Sequence, residues 1–408
     1  MAADNELRLI SRAIRTRDIT PILEYGLEDD WFYVDEHRAV WKFIKQHWTK
    51  YSEVPTAVTV KDNFPTYRLL AVDDSIDYLL DQLVEYRRRQ KAIQIVQDAA
   101  EAISEGDHAT AISSMSVGLA KIMDEGTGTS HDVDLSKSPM SRYDDYQEVK
   151  TRPNGLIGMA TGFTLIDQAT AGLQPGQLIV IVAPPKTGKS VIALQTAVNL
   201  HKDGFVPMFQ SFEMSSREQQ TRHDAMRANI SHARLTRGAL KTDEEVRYQK
   251  ALKRMEDMHN FYLTDSTSAG TISGLAAKID KLQPDVVFVD GVYLMTDEVT
   301  GELGISYLAL TNITRSLKRL AQKVQKPIVV TTQALESKMR GGKVTAQSIG
   351  YSSSFFQDAD VILALERQDA EDDSSRLFRI EASRNCGKTE VELLWDWENG
   401  KFQEYATP

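Results

Sequence analysis

Cysteine is almost missing from this sequence: Cys386 stands alone among 408 residues. An internal disulfide and a Cys-rich zinc module are thereby excluded, and a reducing compartment, the cytoplasm, is the expected location. Long apolar runs are also missing. The longest aliphatic stretches, such as residues 178–183, fall far below the ~20 residues needed to span a bilayer, so no membrane partner is expected. The first residues, MAADNELRLI, lack the basic-then-apolar layout of a secretory signal. The eight histidines form no HExxH or other close metal-ligand pair. Nor is there an excess of positive charge: 48 Lys and Arg face 58 Asp and Glu, a formal net charge of −10. A protein coating nucleic acid over its whole surface would be basic. A local basic channel stays compatible with this total, because net charge does not say where the charges sit.

What is present is ordinary for a globular protein, with 41% hydrophobic and 26% charged residues. At about 150 residues per domain the length fits two or three domains. Residues 1–125 read as a helical domain. Its clearest helix covers about 75–106, where Ile76, Leu79, Leu80, Leu83, Ile93, Val96, Ala100 and Ile103 share one stripe. A second apolar-periodic stretch runs to about Met123, the pattern of a helical hairpin. Arg87, Arg88 and Arg89 in its first arm read as a solvated face. Residues 126–155 read as a small, polar linker that carries a short helix, with Ser138 as N-cap and Pro139 at its first position. Met140, Tyr143 and Tyr146 recur there every three residues. So short a helix is marginal unless its stripe docks, on its own chain or on a neighbouring subunit.

From residue 156 to 408 short β-rich runs alternate with helices. The runs are LIVIVA, PMFQSF, DVVFVD, PIVVTT, DVILAL and LFRIEA. Their near-continuous apolar character fits strands of a mostly parallel sheet buried on both faces, an α/β class. Leu310, Ile313, Leu317, Leu320 and Val324 mark the helix before PIVVTT, and alternation around Asn399-Gly400 marks a closing hairpin.

The segment IVIVAPPKTGKSVIALQTA carries the strongest chemical signal. A buried strand enters a tight loop, then a helix begins at Gly188-Lys189-Ser190. The loop of Ala183, Pro184, Pro185, Lys186, Thr187 and Gly188, through the backbone N–H groups of its non-proline residues, and a helix N-terminus form a phosphate cradle. Lys189 would reach the β- and γ-phosphates and the Ser190 hydroxyl would ligate Mg²⁺, so ATP and Mg²⁺ are the expected ligands. Ala183 stands where the common pattern has its first glycine. Hydrolysis further requires an acid at the metal, a base for water and a phosphate sensor, and sheets of this kind present ligands at strand ends. Asp290 closes DVVFVD and fits the metal-supporting acid. Glu213 follows PMFQSF and fits the base. Gln333 follows PIVVTT and fits the sensor. Arg384, just past LFRIEA, is a candidate charge for the ATP of an adjacent subunit.

These residues in this order resemble the replicative DnaB-type hexameric helicases of the RecA-like ATPase superfamily. The motifs that carry the resemblance are TGFTLIDQATAGLQPGQLIVIVA, APPKTGKS, SFEMS, VVFVDGVYLM, ITRSLKRLAQK with PIVVTTQ, QDADVILAL, and SRNCGKTEVELLWDWENGKF. Alanine at the first P-loop position is common in that family. The resemblance implies a RecA-like P-loop ATPase domain behind a small all-helical domain and a linker helix that docks on a neighbouring subunit. It implies a homo-hexamer around single-stranded DNA, with ATP at subunit interfaces, 5′ to 3′ translocation and duplex unwinding. Primase and a helicase loader are implied partners. By the same resemblance Glu213 activates water, Gln333 senses phosphate and Arg384 is the arginine finger acting in trans.

The sequence also departs from the family. Ala382 replaces a lysine two positions before Arg384, leaving Lys388 as a substitute. Asp290 is followed by Gly291-Val292-Tyr293 rather than tyrosine-leucine-glutamine. The arginine-glutamate pair usual before QDADV gives way to SIGYSSSFFQ, in which Gly350, Ser352, Ser353 and Ser354 offer amides and hydroxyls to phosphates and Tyr351 offers a stacking face. The loop ALESKMRGGKV, with Lys338, Arg340 and Lys343, would supply attraction to DNA. Such departures fit a divergent member of the kind a phage or plasmid carries, acting in the host cytoplasm. Two alternatives stay open: a RecA-like recombinase or annealing ATPase, and a nucleotide-switched assembly protein with weak hydrolysis.

Overall fold

A computed structural model describes residues 2–27, 29–104, 106–107, 115, 118, 135, 139–152, 155–265, 270–339, 343–345, 348, 354–368 and 373–405. The chain divides into two compact units, Met1–Lys137 and Ser138–Pro408. The division falls inside the segment read as a linker.

The described part of the first unit is helical: α1 (Ala2–Thr16), α2 (Thr20–Glu24), α3 (Asp35–Tyr51), α4 (Ala57–Asn63) and α5 (Ile76–Ser104). Thr56 caps α4 by accepting the Thr59 N–H at 3.2 Å. Leu9, Ile10, Phe32, Trp41, Leu79 and Leu83 form the core, all fully buried, and each such side chain contributes roughly 1.5–3 kcal/mol. Only the first half of the α5 stripe is buried; Ile93, Val96 and Ile103 are exposed. Most of the expected second hairpin arm lies outside the described residues. Arg87 corrects the reading of a solvated arginine triplet. It is buried, bonded to the Asp30 carboxylate at 2.9 Å and carbonyl at 2.8 Å, and stacked 4.6 Å from the Trp31 ring. A buried guanidinium needs such partners, and periodicity alone does not reveal them.

The second unit opens with α6 (Pro139–Thr151), whose Met140, Tyr143 and Tyr146 are exposed. There follow α7 (Thr164–Thr170), β1 (Leu178–Ala183), α8 (Lys189–Lys202), β2 (Pro207–Ser211), α9 (Ser216–Ala228), α10 (His232–Thr236), α11 (Thr242–Met255) and β3 (Tyr262–Thr264). Then come α12 (Ile272–Leu282), β4 (Val286–Asp290), α13 (Tyr307–Val324), β5 (Ile328–Gln333), α14 (Ser354–Asp358), β6 (Val361–Glu366), β7 (Ser375–Ser383), β8 (Glu390–Asp396) and β9 (Lys401–Glu404). The described strands form one sheet in the order β3-β2-β4-β5-β1-β6-β7-β8-β9. From β3 through β6 neighbours run parallel; β6 to β9 run antiparallel.

Strand β1 is central, between β5 and β6, and fully buried. Its alternate residues serve two cores. Ile179, Ile181 and Ala183 pack with Ile192, Leu194 and Val198 of α8. Leu178, Val180 and Val182 pack with Leu310, Ile313 and Leu317 of α13. Burial on both faces explains why LIVIVA shows no alternation. With the central strands parallel, the C-terminal ends of β1, β2, β4 and β5 open on one edge. The edge strand β3 was not foreseen; three half-buried residues give almost no pattern.

Candidate nucleotide site

The P-loop leaves β1 at Ala183 and turns sharply. Thr187 N–H donates to the Pro184 carbonyl at 3.3 Å, Lys186 has φ +59°, and Gly188 has φ +113°. That last conformation favours glycine. The residue is fixed for a second reason: a Cβ there would lie 2.3 Å from Cζ2 of Trp395. Helix α8 begins at once, with the Val191 and Ile192 amides bonded to the Gly188 carbonyl at 3.0 Å. Pro184, Pro185, Lys186 and Thr187 thus form a narrow turn over the positive end of α8, the geometry that binds phosphate.

Two acids approach this turn. Asp290, the last residue of β4, is fully buried. Its Oδ1 accepts from Ser190 Oγ at 2.9 Å and from Thr331 Oγ1 at 2.8 Å. Its Oδ2 is buried with no hydrogen-bond partner. A buried carboxylate oxygen left without a donor is costly, and beside the Ser190 hydroxyl it is the kind of hard oxygen that Mg²⁺ takes. The residues present therefore fit the expected cation. Among the described residues no cluster of three or more His, Cys, Asp or Glu offers another metal site.

Glu213 lies two residues beyond the end of β2. Both its oxygens accept from Lys189 Nζ at 2.6 Å, with Lys189 buried and Glu213 partly exposed. Beneath them Gly291 has φ +88°, and a Cβ on it would lie 2.9 Å from Glu213 Cγ. The Asp290-Gly291 departure thereby acquires a reason: the chain must pass under Glu213 without a side chain. Tyr293, the other half of that departure, accepts from Gln333 Nε2 through its hydroxyl at 2.6 Å while its ring lies 5.8 Å from Lys189 Nζ. Gln333, at the end of β5, is thus connected to the lysine through one tyrosine. Arg222 of α9 was also missed. Its Nε is buried without a partner, and burial pushes the guanidinium down from its ordinary value against the opposing pull of Asp290.

Arg384 is elsewhere. It follows β7, which runs against β6, so it lies beside the first residues of β6 and β1. Its amide donates to the Asp360 carbonyl at 3.0 Å and its guanidinium to the Gln357 carbonyl at 2.7 Å; Asp360 Oδ2 in turn accepts from Leu178 N–H at 2.8 Å. The P-loop leaves the opposite end of β1, roughly 17 Å away at ~3.3 Å per residue. Lys189, Ser190, Glu213, Asp290 and Gln333 are brought together; Arg384 is not, and its side chain is half-exposed.

The family model for the DnaB-like helicase C-terminal domain matches residues 158–404. This chain belongs to the DnaB-like helicase family. The replicative DNA helicase DnaB of Leifsonia xyli subsp. xyli is 30% identical over 286 residues, covering 67% of this chain and 62% of that one. A probable replicative DNA helicase of Trieres chinensis is 26% identical over 415 residues, covering 93% and 90%. A solved DnaB-like replicative helicase, studied for its interactions with primase, shares the fold at TM-score 0.67 and 18% identity, covering 98% of this chain and 99% of that chain. The chain thus spans 62% of the length of the Leifsonia relative it matches, and its sheet has the RecA-like fold.

Within this DnaB-like fold the expected DNA-contacting residues fare unequally. Lys338 and Lys343 are exposed in the segment after β5. Arg340, Gly350, Tyr351, Ser352 and Ser353 lie outside the described residues. Ser354 is buried, its Oγ 3.4 Å from Thr314 Oγ1, so its hydroxyl faces the protein. The antiparallel strands add contacts that the family motifs do not suggest. Arg376, fully buried on β7, donates from Nε to the Thr187 carbonyl at 3.0 Å and stacks 4.9 Å from Trp395. Arg367 donates to the Lys186 carbonyl at 3.3 Å. The P-loop is therefore held from its far side by two arginines in a segment that, by sequence, signals only strands.

Proposed function

We propose that this chain is a subunit of a cytoplasmic homo-hexameric replicative helicase that couples ATP hydrolysis to 5′ to 3′ movement on single-stranded DNA and to duplex unwinding. The observation that carries the reading is the split of the charged groups. Nucleotide-facing residues gather at one end of β1, whereas Arg384 stands at the other. A subunit arranged in this way needs a neighbour to complete its site.

On this reading ATP phosphates occupy the P-loop turn, and Lys189 exchanges Glu213 for phosphate oxygens. Glu213, released from the ammonium, accepts a proton from the attacking water. Ser190 and Asp290 hold Mg²⁺, which supplies charge neutralisation at the phosphates. Gln333 reports phosphate loss through Tyr293. Arg384 of the adjoining copy stabilises the transition state, a contribution of about 10³–10⁵ in rate in comparable NTPases. Lys338, Arg340 and Lys343, with Gly350, Tyr351, Ser352 and Ser353, grip the DNA backbone. Primase and a loader are proposed partners on the strength of the family. The test is strand displacement by the assembled protein on a forked duplex with ATP. Displacement that needs a 5′ single-stranded tail is expected. A verified hexamer that hydrolyses ATP indifferently to DNA and separates no strands sinks the reading in favour of a nucleotide-switched assembly protein.

A further inference from the structure

The segment after β5 returns to the sheet at Val344, and the manner of its return is unusual. Val344 is fully buried among Ala334, Phe355 and Ile362. Among the described residues, charged side chains meet its peptide groups. Its N–H donates to the Glu366 carboxylate, and its carbonyl accepts from Arg379 Nη2 at 2.6 Å. Arg379 and Glu366 are both buried and bonded to each other at 2.9 and 3.3 Å, and Arg379 also reaches Glu381. An ion pair in such a place brings a desolvation penalty that apolar side chains of like volume avoid. What it provides instead is direction: one anion for the N–H, one cation for the C=O, on both sides of a single residue.

The clamp sits where two other attachments converge. Arg367, adjacent to Glu366, holds the Lys186 carbonyl, and Arg376, three residues before Arg379, holds the Thr187 carbonyl. At the other stem of the segment the Ala334 amide donates to the carbonyl of Ala183, the first P-loop residue, at 2.9 Å. Leu335 N–H donates to the Ser348 carbonyl at 2.6 Å, and Thr345 N–H to Ser348 Oγ at 2.7 Å. Lys338 and Lys343 are thus carried on a span tied at both ends to the strands that hold the P-loop.

We propose that Glu366 and Arg379 are positioning residues. Their pair fixes the base of the basic segment against the P-loop edge of the sheet, so that the segment's lysines meet the DNA backbone in one geometry and DNA binding is felt at the nucleotide. The proposal rests on the reading of that segment as DNA-binding, and the experiment separates the two. In the full-length assembled protein, Glu366→Gln and Arg379→Met are compared with wild type by hydrogen exchange and by ATPase titrated with oligo(dT). Exchange over 334–345 is expected to quicken at least tenfold while 178–202 stays unchanged. The oligo(dT) concentration for half-maximal stimulation is expected to rise at least fivefold, with turnover without DNA and the KM for ATP within twofold. Arg379→Lys, which keeps the cation but has one point of attachment, should fall between. Should the single variants fold poorly, the apolar triple Glu366→Leu/Arg379→Leu/Glu381→Leu removes the clamp without leaving its third partner as a lone, largely buried charge. Unaltered exchange in a folded variant overturns the clamp. Faster exchange with an unchanged half-saturating concentration overturns its role in DNA binding. If instead Lys338→Ala/Lys343→Ala binds oligo(dT) like wild type while Glu366→Gln exchanges fast, the assignment of the segment to DNA falls and the clamp stands.

Discussion

Glu213 and Lys189 share two contacts of 2.6 Å, and Gly291 lies directly beneath the carboxylate. Their chemistry can be separated by two substitutions. Glu213→Gln keeps an acceptor for the lysine but cannot take a proton. Nucleotide affinity should stay within about threefold while turnover is lost, as measured by fluorescent-nucleotide binding beside steady-state ATPase; normal turnover would remove the base assignment. Gly291→Ala is harsher in cause but milder in kind. At φ +88° an alanine is strained, and its Cβ would sit 2.9 Å from Glu213 Cγ. Glu213 must move, and displacement of a reacting group by about 1 Å can cost 10²-fold in rate. We expect kcat to fall at least tenfold with the KM for ATP little changed. Unaltered kcat would mean that the carboxylate tolerates another position.

At the scale of elements, α10 and α11 are tied together by one carboxylate. Glu244 accepts from Arg234 Nε and Nη2 at 2.8 Å, from Lys241 N–H at 2.9 Å and from Ser231 N–H at 3.2 Å, and Arg234 also meets Glu398 beyond β8. The Arg234 guanidinium, aided by the two amides, holds the Glu244 carboxyl down at about 2. A depressed carboxylate stabilises the fold above its ordinary range, and the contribution fades as pH falls toward the depressed value. Glu244→Gln should therefore lower Tm at pH 5–7, and its gap from wild type should close as pH falls from about 4.5 toward 2. A gap that is constant with pH would refute the ionic account. The elements also show what sequence can and cannot convey. LIVIVA, DVVFVD and PIVVTT announce strands because burial on both faces leaves only apolar residues. TGKS, Asp290 and Gln333 announce their places because they follow those strands. Arg376 and Arg379 are invisible to pattern: each is one charged residue beside apolar neighbours, and its burial comes from partners that the local sequence does not reveal. Arg87 was misread for that reason.

For the whole molecule, the proposed function requires cooperation between copies, because Arg384 stands apart from the P-loop along β1. Arg384→Ala should leave assembly intact, because its bonds to the Gln357 and Ala359 carbonyls lie at the exposed margin of one subunit. Hydrolysis should fall by about 10³ or more. In rings mixed with an excess of Lys189→Ala subunits, which lack a working P-loop but keep Arg384, the activity of the remaining Arg384→Ala sites should recover. No recovery in mixed rings would show that the arginine acts within its own subunit or not at all.

The indole of Trp395 has a further use. It packs so closely on Gly188 that any reshaping of the turn must shift it, and its Nε1 is buried without a partner. Its emission should change colour or intensity when adenosine nucleotides bind, giving an optical reporter that needs no label; Trp395→Phe should silence that signal while leaving the tryptophans of the helical unit glowing as before.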